Sequence, residues 1–177
     1  MPCEPIKDKE IIKDMFEALA LRPNGATYVL YLEFALSTAL RVSDILSLRK
    51  RDIRDGMVRI KTSKTNTFKK IELNPSCRKK MEMYLQFKKP DDYIFPWKRQ
   101  WSHKLLKYAA EFAGIPKDNV SCHTTRKTAA YWYYRESNFN IQKTMQLLGH
   151  KDAKVTREYL LISDDEVNEE LVGMTWS

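Results

Sequence analysis

Two short runs of alternating residues interrupt a chain that otherwise reads as helix. Residues 57–62 (MVRIKT) and 68–73 (FKKIEL) alternate in the manner of half-buried strands. Between them Ser63-Lys64-Thr65-Asn66-Thr67 is a polar turn, and Asp55-Gly56 ahead of them is a second turn signal. The pair predicts an antiparallel hairpin with Lys64 at its tip. One hairpin within a helical chain predicts an α+β fold, mostly α-helical, with a small antiparallel β-sheet.

The flanking segments carry helical periodicity. Ile11, Ile12, Met15, Phe16 and Leu19 share one face of a helix over residues 6–20, stopped by Arg22-Pro23-Asn24-Gly25. Residues 27–40 (TYVLYLEFALSTAL) are apolar nearly all round and predict a buried helix. That helix delivers Arg41, with Ser43-Asp44 as the cap of a short helix over 45–48. An arginine between two apolar segments either pairs with an acid such as Asp44 or points into a site. Further helices are predicted over 76–88, 102–113, 124–136, 141–148 and 155–162. Asn74-Pro75 and Gly114 and Gly149 supply the start and stop signals. On the helix over 124–136, Ala129, Trp132 and Tyr133 mark the apolar side. The segment 97–101, WKRQW, is basic and aromatic and is expected against a nucleic-acid backbone; His103 reads as a surface histidine.

Charge narrows the partners. Lys and Arg total 31 against 23 Asp and Glu, a net +8, which favours a polyanion, most commonly nucleic acid. An acidic block, SDDEVNEE at 163–170, sits near the C-terminus, so the rest of the 177 residues is more basic still. The 3 cysteines, Cys3, Cys77 and Cys122, are odd in number and widely spaced. They point to a reducing, cytoplasmic compartment and away from disulfides or a zinc site. No apolar run approaches the roughly 20 residues that span a bilayer. Only 5 glycines leave no phosphate-cradling Gly-rich loop, so nucleotide triphosphate chemistry is not expected.

The chemistry concentrates between Ser121 and Leu161. His123 and Arg126 form a His-x-x-Arg pair, Gly149-His150 follows, and then Tyr159. Two imidazoles and a guanidinium present fixed N–H donors suited to a phosphate, and a nearby tyrosine hydroxyl is a candidate nucleophile. Lys64 could lean from the hairpin tip towards a phosphate or a leaving group. Taken alone it reads better as a solvated lysine, since nothing in the pattern ranks it above Lys61, Lys69 or Lys70.

Read in order, Ala-Leu-Arg-x-Ser-Asp at 39–44, the hairpin lysine, HTTRKT, Gly-His and TREYL resemble the tyrosine recombinases, the lambda-integrase-like family. The likeness runs from about residue 6 to about residue 165. RVSDILSL and SKTNTFKK are most similar to short stand-alone integrases of phages and other mobile elements of bacteria. The resemblance implies six catalytic residues. Arg41 and Arg126 would clamp the scissile phosphate and His123 would bond it. Lys64 would protonate the leaving 5′-oxygen, His150 would orient, and Tyr159 would attack. Asp44 would buttress the site.

It also implies double-stranded DNA as partner, a tetrameric synapse, and strand transfer with neither metal nor ATP. Residues 1–162 would be the catalytic domain and 163–177 an acidic amphipathic tail, which either packs back on its own domain or, as is common in the family, docks on a neighbouring protomer. The core-binding domain of complete recombinases is not visible before Arg41. Two rivals share parts of the pattern: a type IB topoisomerase-like activity, and a DNA-binding module without catalysis.

Overall fold

The computed structural model describes residues 3–162 and, apart from them, Val172. The tail assigned to 163–177 therefore lies outside the described residues, Val172 excepted. The described chain is mostly helical with a three-stranded antiparallel sheet, as its periodicities predict. No described helix is long and apolar enough to cross a membrane.

The fold is built around α2 (Gly25–Thr38), which buries residues all round its circumference. Leu30, Tyr31, Phe34 and Ala35 enter one core, with Val58, Ile60, Leu73, Cys77 and Met81 from the sheet side. Tyr28 and Leu32 enter a second, against Met15, Ala18 and Leu19 of α1 (Lys9–Ala20) and Leu105, Leu106 and Ala109 of α5 (Arg99–Phe112). An apolar helix that serves two cores needs no polar face. It stops at Ala39, whose φ of 50° turns the chain into the left-handed region ahead of Arg41.

The hairpin forms as read: β2 (Met57–Lys61) pairs antiparallel with β3 (Phe68–Glu72), in a register that sets Val58 opposite Ile71. Asp55 and Gly56 both have positive φ, 53° and 75°, the two-residue turn that joins twisted strands. What precedes them is a strand of two residues, β1 (Ile53–Arg54), too short to leave an alternation in the sequence. Next comes α4 (Pro75–Leu85), opened by Asn74, whose side chain accepts from Cys77 N at 2.9 Å. A small third core, Ala130, Tyr131, Leu148 and Leu160, holds together α6 (Thr124–Glu136), α7 (Ile141–Leu148) and α8 (Ala153–Leu160).

Four expectations change. The short helix after Arg41, α3, spans Val42–Ser47, so Arg41 itself occupies the cap position and Asp44 lies inside the helix, buried. Trp97 and Trp101 turn inward, edge-on and tilted against Tyr28, with Trp97 Nε1 donating to Ser102 Oγ at 3.0 Å, while Lys98, Arg99 and Gln100 between them stay exposed. Their apolar area is worth more in the core than against a polar backbone. His103 is half-buried, its Nε2 at 3.3 Å from the Val120 carbonyl. On α6 the buried face carries Thr124, Thr125, Arg126, Thr128, Ala130 and Tyr131, while Tyr133 is exposed. Hydroxyls and a guanidinium are inside because backbone partners await them there.

Candidate active site

Arg126 organises the site from within. Its side chain is only 3% exposed, and its guanidinium donates through one nitrogen to the Ala39 carbonyl and through the other to Leu148 O at 2.7 Å. Those carbonyls end α2 and α7, where helix dipoles leave partial negative charge. One planar fork thus pins the segment leading to Arg41 against the segment leading to Gly149 and His150. Lysine could not hold both ends at once.

Arg41 is half-buried and makes no ion pair with Asp44. Asp44 Oδ1 instead accepts from Ser63 N at 2.9 Å and Ser63 Oγ at 2.8 Å, which ties α3 to the hairpin turn. Its buried Oδ2 has no hydrogen-bond partner. The buttressing role anticipated for Asp44 has this physical form, and it leaves the Arg41 guanidinium available to a ligand.

His123 sits at the cap of α6 and His150 just past the left-handed Gly149, whose φ is 69°. His150 Nδ1 is hydrogen-bonded to Thr156 Oγ1 at 3.0 Å, which orients the ring and leaves Nε2 for a ligand. Both imidazoles are held below their ordinary pKa, first by burial. For His123 the charges of Arg99, Arg126, Arg41 and Lys127 add to this, and for His150 those of Arg126, Arg41, Lys69 and Lys64. The cations outnumber the one carboxylate beside them, Asp44, which acts on Arg126 and Lys69, and such an excess of positive charge suits an anion.

Tyr159 belongs to α8 and stands edge-on to the His150 ring, centroids 5.4 Å apart, with Lys127 Nζ 5.1 Å above its own ring. Its hydroxyl is buried and makes no hydrogen bond of good geometry. Burial raises its pKa above that of a free tyrosine, and the facing Arg126 guanidinium opposes that rise.

Of the six sequence-predicted residues the structure brings five together: Arg41, His123, Arg126, His150 and Tyr159. The charge of Arg41 is felt by each of the other four. Lys64 lies at the exposed hairpin turn and reaches the group only through its charge on His150. A second lysine of the hairpin, Lys69, is closer in: half-buried on β3, with its Nζ donating to the Leu147 carbonyl. Burial, then Arg126 and Arg41, lower its pKa to about 8, with Asp44 acting against them. A signal was present in the sequence, since period two puts Lys69 on the same face as Ile71 and Leu73. Thr156 and Lys127 left none.

The chain belongs to the Phage integrase family, whose profile matches residues 7–166. It is 29% identical over 170 residues to the "Probable integrase/recombinase YoeC" of Bacillus subtilis (strain 168), covering 92% of this chain and 91% of that protein. It is likewise 29% identical over 151 residues to the tyrosine recombinase XerA of Saccharolobus solfataricus, with 84% of this chain matched to 50% of that one. Among solved structures, the XerH site-specific recombinase bound to its palindromic difH substrate in a post-cleavage complex superposes with a TM-score of 0.77. The identity there is 16%, across 96% of this chain and 52% of XerH, so this likeness speaks for the fold. The chain thus spans nearly all of YoeC but about half of XerA and XerH.

Proposed function

We propose that this protein is a site-specific DNA recombinase or integrase that breaks and rejoins DNA through Tyr159. Double-stranded DNA enters over the cationic cluster, and one phosphodiester settles between Arg41, Arg126 and His123, which bond its non-bridging oxygens. Tyr159 Oη attacks phosphorus and forms a 3′-phosphotyrosyl bond, and the P–O bond to the 5′-carbon side breaks. Lys64 gives a proton to the departing 5′-oxygen, and the tyrosine proton passes to a base or water in the site. His150, held by Thr156, bonds and orients the phosphoryl group. The bond energy is conserved in the ester, so a second 5′-hydroxyl reverses the step without ATP.

The observation that carries this reading is the buried Tyr159 hydroxyl, set against the Arg126 guanidinium without a hydrogen bond of good geometry and surrounded by positive charge. A phenol so placed among cations suits nucleophilic attack on a phosphate. Fixed donors around a phosphate stabilise developing charge where water is excluded, and the loss of one such donor typically costs about a hundredfold or more. We assign residues 1–162 to the catalytic domain and the acidic segment 163–177 to contacts between protomers of a tetrameric synapse on DNA. The reducing cysteine pattern and the DNA substrate favour a cytoplasmic location.

The test is a duplex nicked beside a candidate site, so that cleavage releases a short strand and traps the ester. Wild-type protein should give a covalent protein–DNA band in EDTA, and Tyr159→Phe should bind the duplex without forming one. A band that survives Tyr159→Phe would remove the nucleophile assignment, and strict magnesium dependence would count against the whole mechanism.

A further inference from the structure

The geometry points to Lys69 as a positioning residue of this site: its ammonium ties the hairpin to the end of α7 and so holds His150 and the Lys64 turn in one arrangement. The inference rests on the strand-transfer reading for its meaning, though not for all of its test.

Three observations converge on it. The first is where Lys69 lies. It points inward beside Ile71 on β3, whereas Lys61 and Lys70 are exposed. A lysine on the apolar face of a strand is expected only where its ammonium finds a partner.

The second is what it grips. Lys69 Nζ donates to the Leu147 carbonyl, and Arg126 donates to the adjoining Leu148 carbonyl at 2.7 Å. These are the last two residues of α7, where cations are favoured by the unsatisfied carbonyls. The chain then turns at once through Gly149 to His150, whose N donates back to Met145 O at 2.9 Å. A grip on Leu147 and Leu148 therefore fixes the point from which His150 departs.

The third is symmetry of anchorage about Lys64. On one side of the turn, Ser63 is bonded twice to Asp44 of α3. On the other, Lys69 is bonded to α7. Lys64 has no hydrogen bond or ion pair of its own among the described residues; the turn is closed internally by Thr62 and Thr67, and these two ties fasten it to α3 and α7.

The charged and titratable groups around Lys69 are Arg126 from α6, Arg41 and Asp44 from the α2–α3 segment, and His150 beyond α7. They leave its ammonium titrating near pH 8. Below that pH the tie is a charge-assisted hydrogen bond. As pH rises through it, the neutral amine donates more weakly and the tie loosens. An arginine at this position would keep its charge throughout.

The experiment compares wild type, Lys69→Met, Lys69→Arg and the control Lys70→Met, using the nicked duplex and amide exchange. Lys69→Met should form the ester more slowly by about tenfold or more at pH 7, as expected of misplaced catalytic groups, with duplex affinity near wild type. Lys69→Arg should restore most of that rate. The ratio of wild-type to Lys69→Arg rates should fall as pH passes 8, since only the wild type loses its charge; the ratio cancels the effect of pH on Tyr159. In DNA-free protein the Gly149 and His150 amides should exchange faster in Lys69→Met but not in Lys70→Met. Cleavage by Lys69→Met at the wild-type rate, a flat wild-type to Lys69→Arg ratio, or unchanged exchange at Gly149 and His150 would each overturn the inference. If the wild type forms no ester at all, the strand-transfer reading fails, and the exchange measurement still decides the tie.

Discussion

At the scale of single residues, Tyr159 is held in a state that disfavours the free protein. A buried hydroxyl without a partner costs about 1–3 kcal/mol. Tyr159→Phe removes that group and leaves the ring against His150 and Lys127. The variant should therefore melt higher, by about 2–4 °C per kcal/mol regained in a domain of this size. Calorimetry of the two proteins checks this, and a lower melting temperature for the Tyr159→Phe variant would mean the hydroxyl has a partner after all.

Arg126 has the opposite balance. Arg126→Lys keeps the charge but cannot reach both Ala39 and Leu148, so one buried carbonyl is stranded. It should lose about 1–3 kcal/mol in denaturant unfolding and most of its cleavage rate. Arg41→Ala removes a side chain with no hydrogen bond or ion pair among the described residues. It should lose the rate with little change in stability.

The two histidines give a pH prediction with a definite sign. In the free protein both sit below the ordinary imidazole pKa, so at neutral pH they are uncharged. A phosphate placed among them favours the charged form and raises those values. Duplex binding then takes up protons, and affinity should strengthen as pH falls through the ordinary imidazole range, about 6.5, and below. Calorimetric titration in buffers of different ionisation enthalpy would read the uptake directly. Proton release, or none, would contradict the placement of the phosphate.

At the scale of elements, the site is a meeting of helix ends: the end of α2, the start of α6 and the end of α7, with the hairpin across them. Gly149 makes one of those ends. Its φ of 69° is strained for any other residue, though a Cβ there would meet nothing within 4 Å. Gly149→Ala should thus cost about 1–2 kcal/mol of strain alone, and it should slow cleavage beyond that stability loss because His150 departs from this turn. A variant with normal cleavage would show that the turn does not set the imidazole.

The element scale also shows what the residue pattern could and could not convey. Helices α6 and α7 have the limits that their periodicity and the stop at Gly149 predict. The hairpin follows from alternation and turn chemistry. The inward face of α6 does not follow, because besides Ala130 and Tyr131 it buries threonines and an arginine, and Thr128 and Arg126 find backbone partners far along the chain. Ile6 N bonds Thr128 Oγ1, and Ala39 O receives Arg126. Polar residues look solvated until their partners are known. The tryptophans of WKRQW escape a local reading for a related reason: their packing against Tyr28 joins segments distant in sequence.

At the scale of the whole molecule, stability is unevenly spread. The two large cores meet on α2, while α8 contributes only Thr156 and Leu160 as buried residues. Its far end is held by the N-terminal segment, where Lys7 Nζ donates to Leu161 O at 2.8 Å. The helix that carries Tyr159 is thus among the least anchored parts of the described chain. Its amides should exchange well before those of α2, as local opening precedes global unfolding.

The central claim is that one oxygen, Tyr159 Oη, becomes esterified to DNA. It is tested most directly by trapping the covalent complex on a nicked duplex, digesting protein and DNA, and sequencing the modified peptide by mass spectrometry. The account predicts a 3′-phosphonucleotide on Tyr159 within the segment AKVTREYL. Modification at Tyr131, Tyr133 or Tyr134 instead, or a phosphate linked through its 5′ side, would contradict it.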